Sequence, residues 1–226
     1  MGTFVLWGIL VAVVAYFLGS VNFSIILTRL YKQDDIRNYG SGNAGMTNVL
    51  RVVGKKAALY TFIFDFLKCV VSVLIGLFVF TTLCKNLDVN MEYANFGKYI
   101  AGFACMMGHN FPVYFNFRGG KGVVTACALI AVVDWRVFIF VIATFGISFL
   151  IKKTISLSSI LAAAMYPIAT FFVTYFLDYR VSVELDYLIA VTAISLLIGL
   201  TVIIKHKDNI KRILNGTEKP IISKKA

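Results

Sequence analysis

The chain has 226 residues, 59% of them hydrophobic and only 15% charged, with a mean hydropathy of +0.84. Soluble domains average about 45–50% apolar and about 25% charged residues, so composition excludes an ordinary soluble domain and predicts one all-α, polytopic transmembrane bundle over residues 1–226. The formal charge of +11 does not make a nucleic-acid binder: the basic residues lie between apolar runs, not among the stacking aromatics that single strands need, a placement suited to anionic lipid headgroups and phosphorylated substrates.

Met1 to Thr28 is uncharged and long enough to cross a core of about 30 Å. With no basic region before Arg29, it is expected to remain as a span and not to be a cleaved leader. A polar stretch, Asp34 to Lys56, follows. Gly40, Gly42 and Gly45, spaced by Ser41 and Asn43, can take positive φ and turn successive N–H groups onto one anion. A helix starting near Thr47 would put Arg51 on the same side and aim its first-turn N–H groups at that anion. The stretch reads as a phosphate cradle at a membrane edge; the plain alternative is a polar loop capping two spans.

Ala57 to Cys84 is the next span, carrying Asp65 and Lys68 three residues apart on one face, as either a functional pair or a structural ion pair. Tyr99 to Gly108 and Gly122 to Val133 are ten and twelve residues long, about 15–18 Å as helices, so they are shallow spans or halves of a re-entrant hairpin. Between them lies Arg118-Gly119-Gly120-Lys121-Gly122. Val137 to Ile151, Ile160 to Leu177 with a kink expected at Pro167, and Tyr187 to Ile204 complete the spans. Lys152 to Ser159 is a turn, Asp178 to Asp186 an acidic connector, and Lys205 to Lys219 a basic amphipathic tail.

Of the 22 Lys and Arg residues, 17 fall on one set of alternate connections: the cradle, the Gly-rich loop, the Lys152-Lys153 turn and the tail. The positive-inside rule makes that set cytoplasmic. The N-terminus is then outside and the C-terminus inside, with seven crossings or five plus a hairpin. Cys69, Cys84, Cys105 and Cys127 sit singly in apolar runs and read as inert buried thiols.

The Gly-rich loop fails the nucleotide pattern, with Phe115 at the first glycine and Gly122 at the hydroxyl. A phosphate held by backbone N–H groups and Lys121 remains, against the alternative of a glycine hinge with a snorkelling lysine. His109 and His206 without clustered carboxylates make no metal ligand set, and no metal or cofactor is expected. Asn209 and Arg212 follow His206 by three and six residues, one stripe of a tail helix; the alternative is a basic helix lying on anionic lipid. The H-x-x-x-x-D dyad of thioester-dependent acyltransferases is absent, because Tyr114 and Lys211 stand where its aspartate belongs. A transporter of an anionic or phosphorylated molecule is the rival class, but it calls for an internal repeat and ligands on both faces, and neither is evident.

Four motifs stand in one order along nearly the whole chain: Asp35-Ile36-Arg37-x-x-Gly40-Ser41-Gly42-Asn43-x-Gly45-x-Thr47-Asn48-x-x-Arg51; Gly108-His109-x-x-Pro112-Val113 with Gly119-Gly120-Lys121-Gly122; Ser156-Leu157-x-Ser159; and His206-x-x-Asn209-Ile210-x-Arg212 through Gly216-x-Glu218. In them the chain resembles the bacterial PlsY family, membrane acyltransferases that move an acyl group from acyl phosphate to glycerol 3-phosphate. The resemblance implies a multi-pass enzyme of the cell inner membrane with its active site facing the cytoplasm, acting at the first step of phospholipid synthesis. It implies Ser41, Arg51, Lys121, His206 and Asn209 as catalytic residues. Gly40, Gly42, Asn43, Thr47, Asn48, His109, Gly119, Gly120, Ser156, Ser159 and Arg212 are implied as substrate- and phosphate-binding residues. No cofactor is implied, and a soluble acyl-phosphate-forming enzyme is an implied partner. Met46 stands where the family has alanine, Asn22 and Ser24 where it has proline and glycine, and Cys69 where it has glycine.

An acyl phosphate is already activated, so no Ser or Cys need be acylated; the site must hold two phosphates close and stabilise charge as phosphate departs. The hydroxyl proton of glycerol 3-phosphate can pass to His206 or to a substrate phosphate oxygen.

Overall fold

Helices bathed in lipid carry apolar side chains on every face, and the apolar runs of this chain fold accordingly. A computed structural model of the protein describes residues 2–181 and 183–218. Met1, Ser182 and Lys219, which fall in the predicted first span, acidic connector and tail, lie outside the described residues. The α-helices are α1 (Gly2–Ser20), α2 (Phe23–Lys32), α3 (Met46–Val52), α4 (Lys55–Asn86), α5 (Ala94–Asn110), α6 (Val123–Val133), α7 (Trp135–Lys152), α8 (Ile155–Val173), α9 (Leu185–Lys205) and α10 (Lys207–Leu214). Five segments among the described residues are long and apolar enough to cross a membrane: Gly2–Lys32, Lys55–Asn86, Trp135–Lys152, Ile155–Tyr179 and Leu185–Lys205. At 17 and 11 residues, about 25 and 16 Å, α5 and α6 fall short of that set.

Helix ends reach past the predicted spans where a polar side chain caps them. Asp134 accepts the Arg136 N–H and starts α7 two residues before Val137. The Ser-rich segment expected as a turn forms the first turns of α8, with the Ser158 hydroxyl donating to Thr154 O at 3.0 Å. Helix α8 continues through Pro167 and ends in a π-helical turn, Thr174–Tyr179.

The described residues fall into two compact units, one ending at Val133 and one starting at Asp134. In the first, α4 packs against α1, α2, α3, α5 and α6. Small residues permit the closest approaches: a Cβ on Gly76 or Gly97 would overlap the other's carbonyl, and Gly19 and Gly108 meet the carbonyls of Cys105 and Tyr16 across α1 and α5. In the second unit α8 packs on α7, α9 and α10, and Gly199 lies against the Ala163 carbonyl. Arg136 joins the start of α7 to the π-helical turn through Asp134 at 2.7 Å and Asp178 at 2.9 Å.

Helices α1 and α2 are separated by Val21-Asn22, where the backbone ladder is interrupted within an apolar segment and needs other partners. Asn22 Oδ1 accepts from the Ile25 N–H at 3.2 Å and the Ser24 hydroxyl at 2.5 Å, capping α2. The Lys68 ammonium donates to Val21 O at 2.7 Å, pairs with Asp65 at 2.7 Å and meets His109 Nδ1 at 3.2 Å. His109 Nδ1 also lies 3.6 Å from Asp65 Oδ1, so the three side chains form one buried cluster. The Asp65–Lys68 pair is therefore a buried structural ion pair with His109 as its third member.

Removing one partner of such a pair strands a buried charge. Lys68→Met is expected to destabilise the protein by about 3–5 kcal/mol, and adding Asp65→Asn should restore much of that. Thermal unfolding of the detergent-solubilised protein measures both; equal melting of Lys68→Met and the parent would contradict the assignment.

Candidate active site

The cradle begins with a 3-10 turn, Ile36–Asn38, capped by Asp35, which accepts the Arg37 N–H at 3.0 Å. Gly40 and Gly42 take φ of 59° and 69°, whereas Gly45 is extended at −151°, so two of the three glycines use the left-handed region. The centre of the loop is the buried Asn48 amide. Its Nδ2 group donates to Ile36 O, Tyr39 O and Asn43 O at 3.2, 3.0 and 3.1 Å, and its Oδ1 accepts the Ser41 N–H at 3.1 Å. A Cβ on Gly40 would overlap that Oδ1, which adds close approach to the φ requirement.

This arrangement corrects the expected anion nest. The N–H of Ser41 goes to Asn48, that of Gly42 to Tyr39 O at 3.0 Å and that of Gly45 to Asn43 O at 3.1 Å. These three donors build the loop and do not converge on a ligand. Asn48 accordingly shapes the cradle from inside. Side chains face outward: Ser41 and Arg51 are exposed, Asn43 and Thr47 half-buried. Helix α3 starts at Met46, within one residue of the predicted position, and carries both Thr47 and Arg51.

The Gly-rich loop leaves α5 through a 3-10 turn, Val113–Phe115, followed by Asn116 and Phe117 at φ of 57° and 56°. Asn tolerates this region; a bulky Phe is strained there by about 1–3 kcal/mol. Farther on, the Gly120 N–H donates to His109 O at 3.1 Å. Cβ atoms on Gly119 and Gly120 would overlap His109, and one on Gly120 would also crowd Ala44 O of the cradle. The two stretches predicted to bind phosphate thus touch, and Lys121 follows the contact directly. His109, implied by the resemblance as a substrate- or phosphate-binding residue, is buried beneath the loop, with its Nδ1 against Lys68.

A residue that sequence reasoning left without a role ties the two stretches together. Arg37 Nη1 donates to Phe115 O at 2.8 Å and Arg118 O at 3.0 Å, while Nε and Nη2 grip Asp35 at 2.9 and 2.8 Å. Arg29 reaches the same carboxylate at 3.2 Å and lies over the Phe115 ring. Burial raises the Asp35 pKa, but hydrogen bonds from Arg37 and Arg29 outweigh it and hold the group below its ordinary value. Asp35-Ile36-Arg37 looks like a local pair in the sequence; its partner carbonyls lie 78 and 81 residues on.

In residues 134–218, Glu218 gathers three of the predicted residues of α8 and the tail. The Ser156 hydroxyl donates to Oε1 at 2.6 Å, Asn209 Nδ2 donates to Oε1 at 2.6 Å and to Ser156 Oγ at 2.7 Å, and Arg212 Nε donates to Oε2 at 2.6 Å. The expected Asn209–Arg212 stripe is present, and Glu218 is the acceptor that sequence reasoning did not assign. His206, at the junction of α9 and α10, is buried with Nδ1 2.8 Å from Val202 O. A carbonyl only accepts, so Nδ1 carries a ring proton. Ser159 is buried one turn beyond Ser156 on α8.

Burial raises the Glu218 pKa, but the Ser156, Arg212 and Asn209 hydrogen bonds outweigh it and hold the group below its ordinary value. A depressed folded value means that the stabilisation is present above the unfolded pKa and lost as pH falls through the folded one. Acid should therefore loosen α10 in the parent through this group, and Glu218→Gln should remove that part of the pH dependence while weakening α10 at neutral pH. Hydrogen-exchange protection of residues 207–214 across the acid range is the measurement; an unchanged acid profile in Glu218→Gln would count against the network.

Residues 9–216 match the family model described as Glycerol-3-phosphate acyltransferase. Proteins named glycerol-3-phosphate acyltransferase from Thermoanaerobacter pseudethanolicus, Photobacterium profundum and Macrococcus caseolyticus are 36%, 36% and 37% identical to the chain. These matches cover 94%, 96% and 96% of this chain and 95%, 96% and 98% of the relatives. Two crystal structures of PlsY, an integral membrane glycerol 3-phosphate acyltransferase, superpose with TM-scores of 0.74 for the glycerol 3-phosphate form and 0.72 for the lysophosphatidic acid form. They are 34% and 31% identical, each match covering 94% of both chains. With motifs, helical architecture and near-full-length similarity in agreement, the chain belongs to the PlsY family of integral membrane glycerol-3-phosphate acyltransferases.

Proposed function

We propose that the protein transfers an acyl group from acyl phosphate to glycerol 3-phosphate, releasing lysophosphatidic acid and inorganic phosphate. The observation that carries this reading is similarity over 94% of both chains to a PlsY structure in its glycerol 3-phosphate form, at 34% identity. In the reaction a hydroxyl oxygen of glycerol 3-phosphate attacks the acyl carbon. The carbonyl becomes an oxyanion, then re-forms as the carbon–oxygen bond to phosphate breaks and phosphate leaves with the electron pair.

Each residue has a role in this proposal. Ser41, Asn43, Thr47, Arg51 and Lys121 bind phosphate oxygens and stabilise the charge that develops on the departing phosphate. Gly40, Gly42 and Asn48 shape the cradle, and His109, Gly119 and Gly120 shape the loop that carries Lys121. His206 Nε2 accepts the hydroxyl proton and passes it to the leaving phosphate. Asn209, Arg212, Ser156 and Ser159 place glycerol 3-phosphate. Residues 1–226 are read as a single acyltransferase domain, and the acyl chain lies among apolar side chains, where each buried CH₂ contributes about 0.8 kcal/mol.

The orientation proposed is N-terminus outside and C-terminus inside, with seven crossings in which α5 and α6 supply the two short ones. The distribution of 17 of 22 basic residues on one set of connections supports it. The site then faces the cytoplasm from the inner membrane, where a soluble enzyme forming acyl phosphate can deliver the donor.

The test is the purified protein in detergent with acyl phosphate and glycerol 3-phosphate, scoring lysophosphatidate and phosphate, with acyl-CoA as the control donor. Arg51→Ala and Lys121→Ala are each expected to lower kcat by on the order of a hundred- to a thousandfold, and His206→Ala by a comparable factor. Turnover of acyl-CoA but not acyl phosphate, or full activity in Arg51→Ala and Lys121→Ala, would overturn the reading.

A further inference from the structure

Asn116 and Phe117 are consecutive residues in the left-handed region, and they end three residues before Gly120. Such a pair persists only where the surroundings over-determine it. The Phe117 N–H donates to Pro112 O at 2.9 Å and closes the turn from one side. From the other side stands Arg37. Its Nη1 group bonds Phe115 O and Arg118 O, the carbonyls immediately before and immediately after the strained pair. Phe117 itself is 58% exposed, so its ring contributes little to holding its own backbone.

We propose that Arg37, oriented by Asp35, is a positioning residue for acyl transfer: its guanidinium staples the Asn116-Phe117 turn and thereby sets where Lys121 stands relative to the cradle.

Geometry separates this role from that of a phosphate ligand. Four of the five guanidinium N–H groups have protein acceptors: Nε and one N–H of Nη2 on the two oxygens of Asp35, and both N–H groups of Nη1 on the two carbonyls. The charge is matched by a carboxylate at 2.8 Å, and the side chain is 16% exposed. Only a planar fork can serve a carboxylate and two carbonyls at once; a lysine keeps the charge and loses the fork. The loop then has two fixings. Gly120 is held on His109 O, and the turn before Arg118 is held by Arg37 from the cradle's own 3-10 turn. Lys121 therefore inherits its position from the motif that also carries Ser41 and Arg51.

The inference rests on the reading of Lys121 as a phosphate-binding residue, and the test keeps the two apart. Arg37→Gln, Arg37→Lys, Phe117→Gly and the doubles Arg37→Gln/Phe117→Gly and Arg37→Lys/Phe117→Gly are assayed for acyl transfer beside Lys121→Ala. Both single Arg37 variants are expected to lose on the order of ten- to a hundredfold in kcat, as small misplacements of a catalytic group do. Phe117→Gly alone stays within about twofold of the parent, as exposed substitutions usually do. Glycine adopts positive φ without strain, so both doubles recover most of the kcat lost by the corresponding single, a suppression that neither a phosphate ligand nor a general folding role produces. Size-exclusion and thermal unfolding in detergent accompany each variant, and if Arg37→Gln does not fold, the Arg37→Lys pair carries the comparison. Near-parental activity in Arg37→Lys, or no recovery in either double, overturns the proposal. Full activity in Lys121→Ala overturns the phosphate-binding reading, whatever the Arg37 variants do.

Discussion

An ammonium buried in a membrane-spanning unit needs polar partners, and Lys68 finds them on three elements. Val21 O belongs to the break between α1 and α2, Asp65 to α4, and His109 to the end of α5. The break it holds presents Asn22, whose Nδ2 reaches Ala44 O in the cradle at 3.4 Å. His109, whose ring it meets, holds Gly120 through its backbone carbonyl. Cradle and Gly-rich loop are therefore suspended from one buried charge. A polar network satisfied in a low-dielectric interior is rigid because each alternative arrangement leaves a group unpaired.

Hydropathy made the helical architecture legible, since lipid demands apolar faces and little else resembles twenty apolar residues in a row. Helix starts were less legible. Thr154, Ser156, Ser158 and Ser159 have turn chemistry, yet Ser158 bonds back to the carbonyl four residues earlier and the helix absorbs it. Glycines, Ser41 and Asn43 marked the cradle, but not the direction of its N–H groups: that of Ser41 goes to the Asn48 amide seven residues on, and those of Gly42 and Gly45 go to carbonyls of the loop itself. Asp65 and Lys68 read as a pair from their spacing; their third member, His109, is 41 residues from Lys68. Arg37 and Glu218 were visible as motif letters, and their roles were not, because their partners lie 78, 81 and 62 residues away.

The four departures from the family pattern have local explanations. Asn22 and Ser24, in place of proline and glycine, form a side-chain cap on α2, with both residues fully buried. A proline would supply a fixed φ at the same break; Asn22 supplies an acceptor for the orphan N–H of Ile25 instead. Cys69, in place of glycine, is buried and donates its thiol to Thr125 O at 3.2 Å, bridging α4 and α6. Met46 packs against the apolar cluster of Ile25, Ile36, Ala44, Val49, Ala57 and Ala58. Its flexible thioether suits it to filling space against that cluster.

In the proposed reaction, acyl transfer from an activated phosphate asks little covalent chemistry of a protein and much geometry. A membrane bundle is poorly equipped to supply geometry at its loops, because apolar packing ends where the polar segments begin and exposed loops are the least constrained part of a fold. Here the deficit is met by buried or half-buried polar groups that act on backbone: Lys68 on Val21 O, His109 on Gly120, Asn48 on four cradle residues, Arg37 on Phe115 and Arg118. Such residues are as polar as ligands and stand in the same motifs. Polarity and motif membership therefore mark the site as a whole, and only the identity of each group's acceptor separates the residues that hold the loops from those placed to meet substrate.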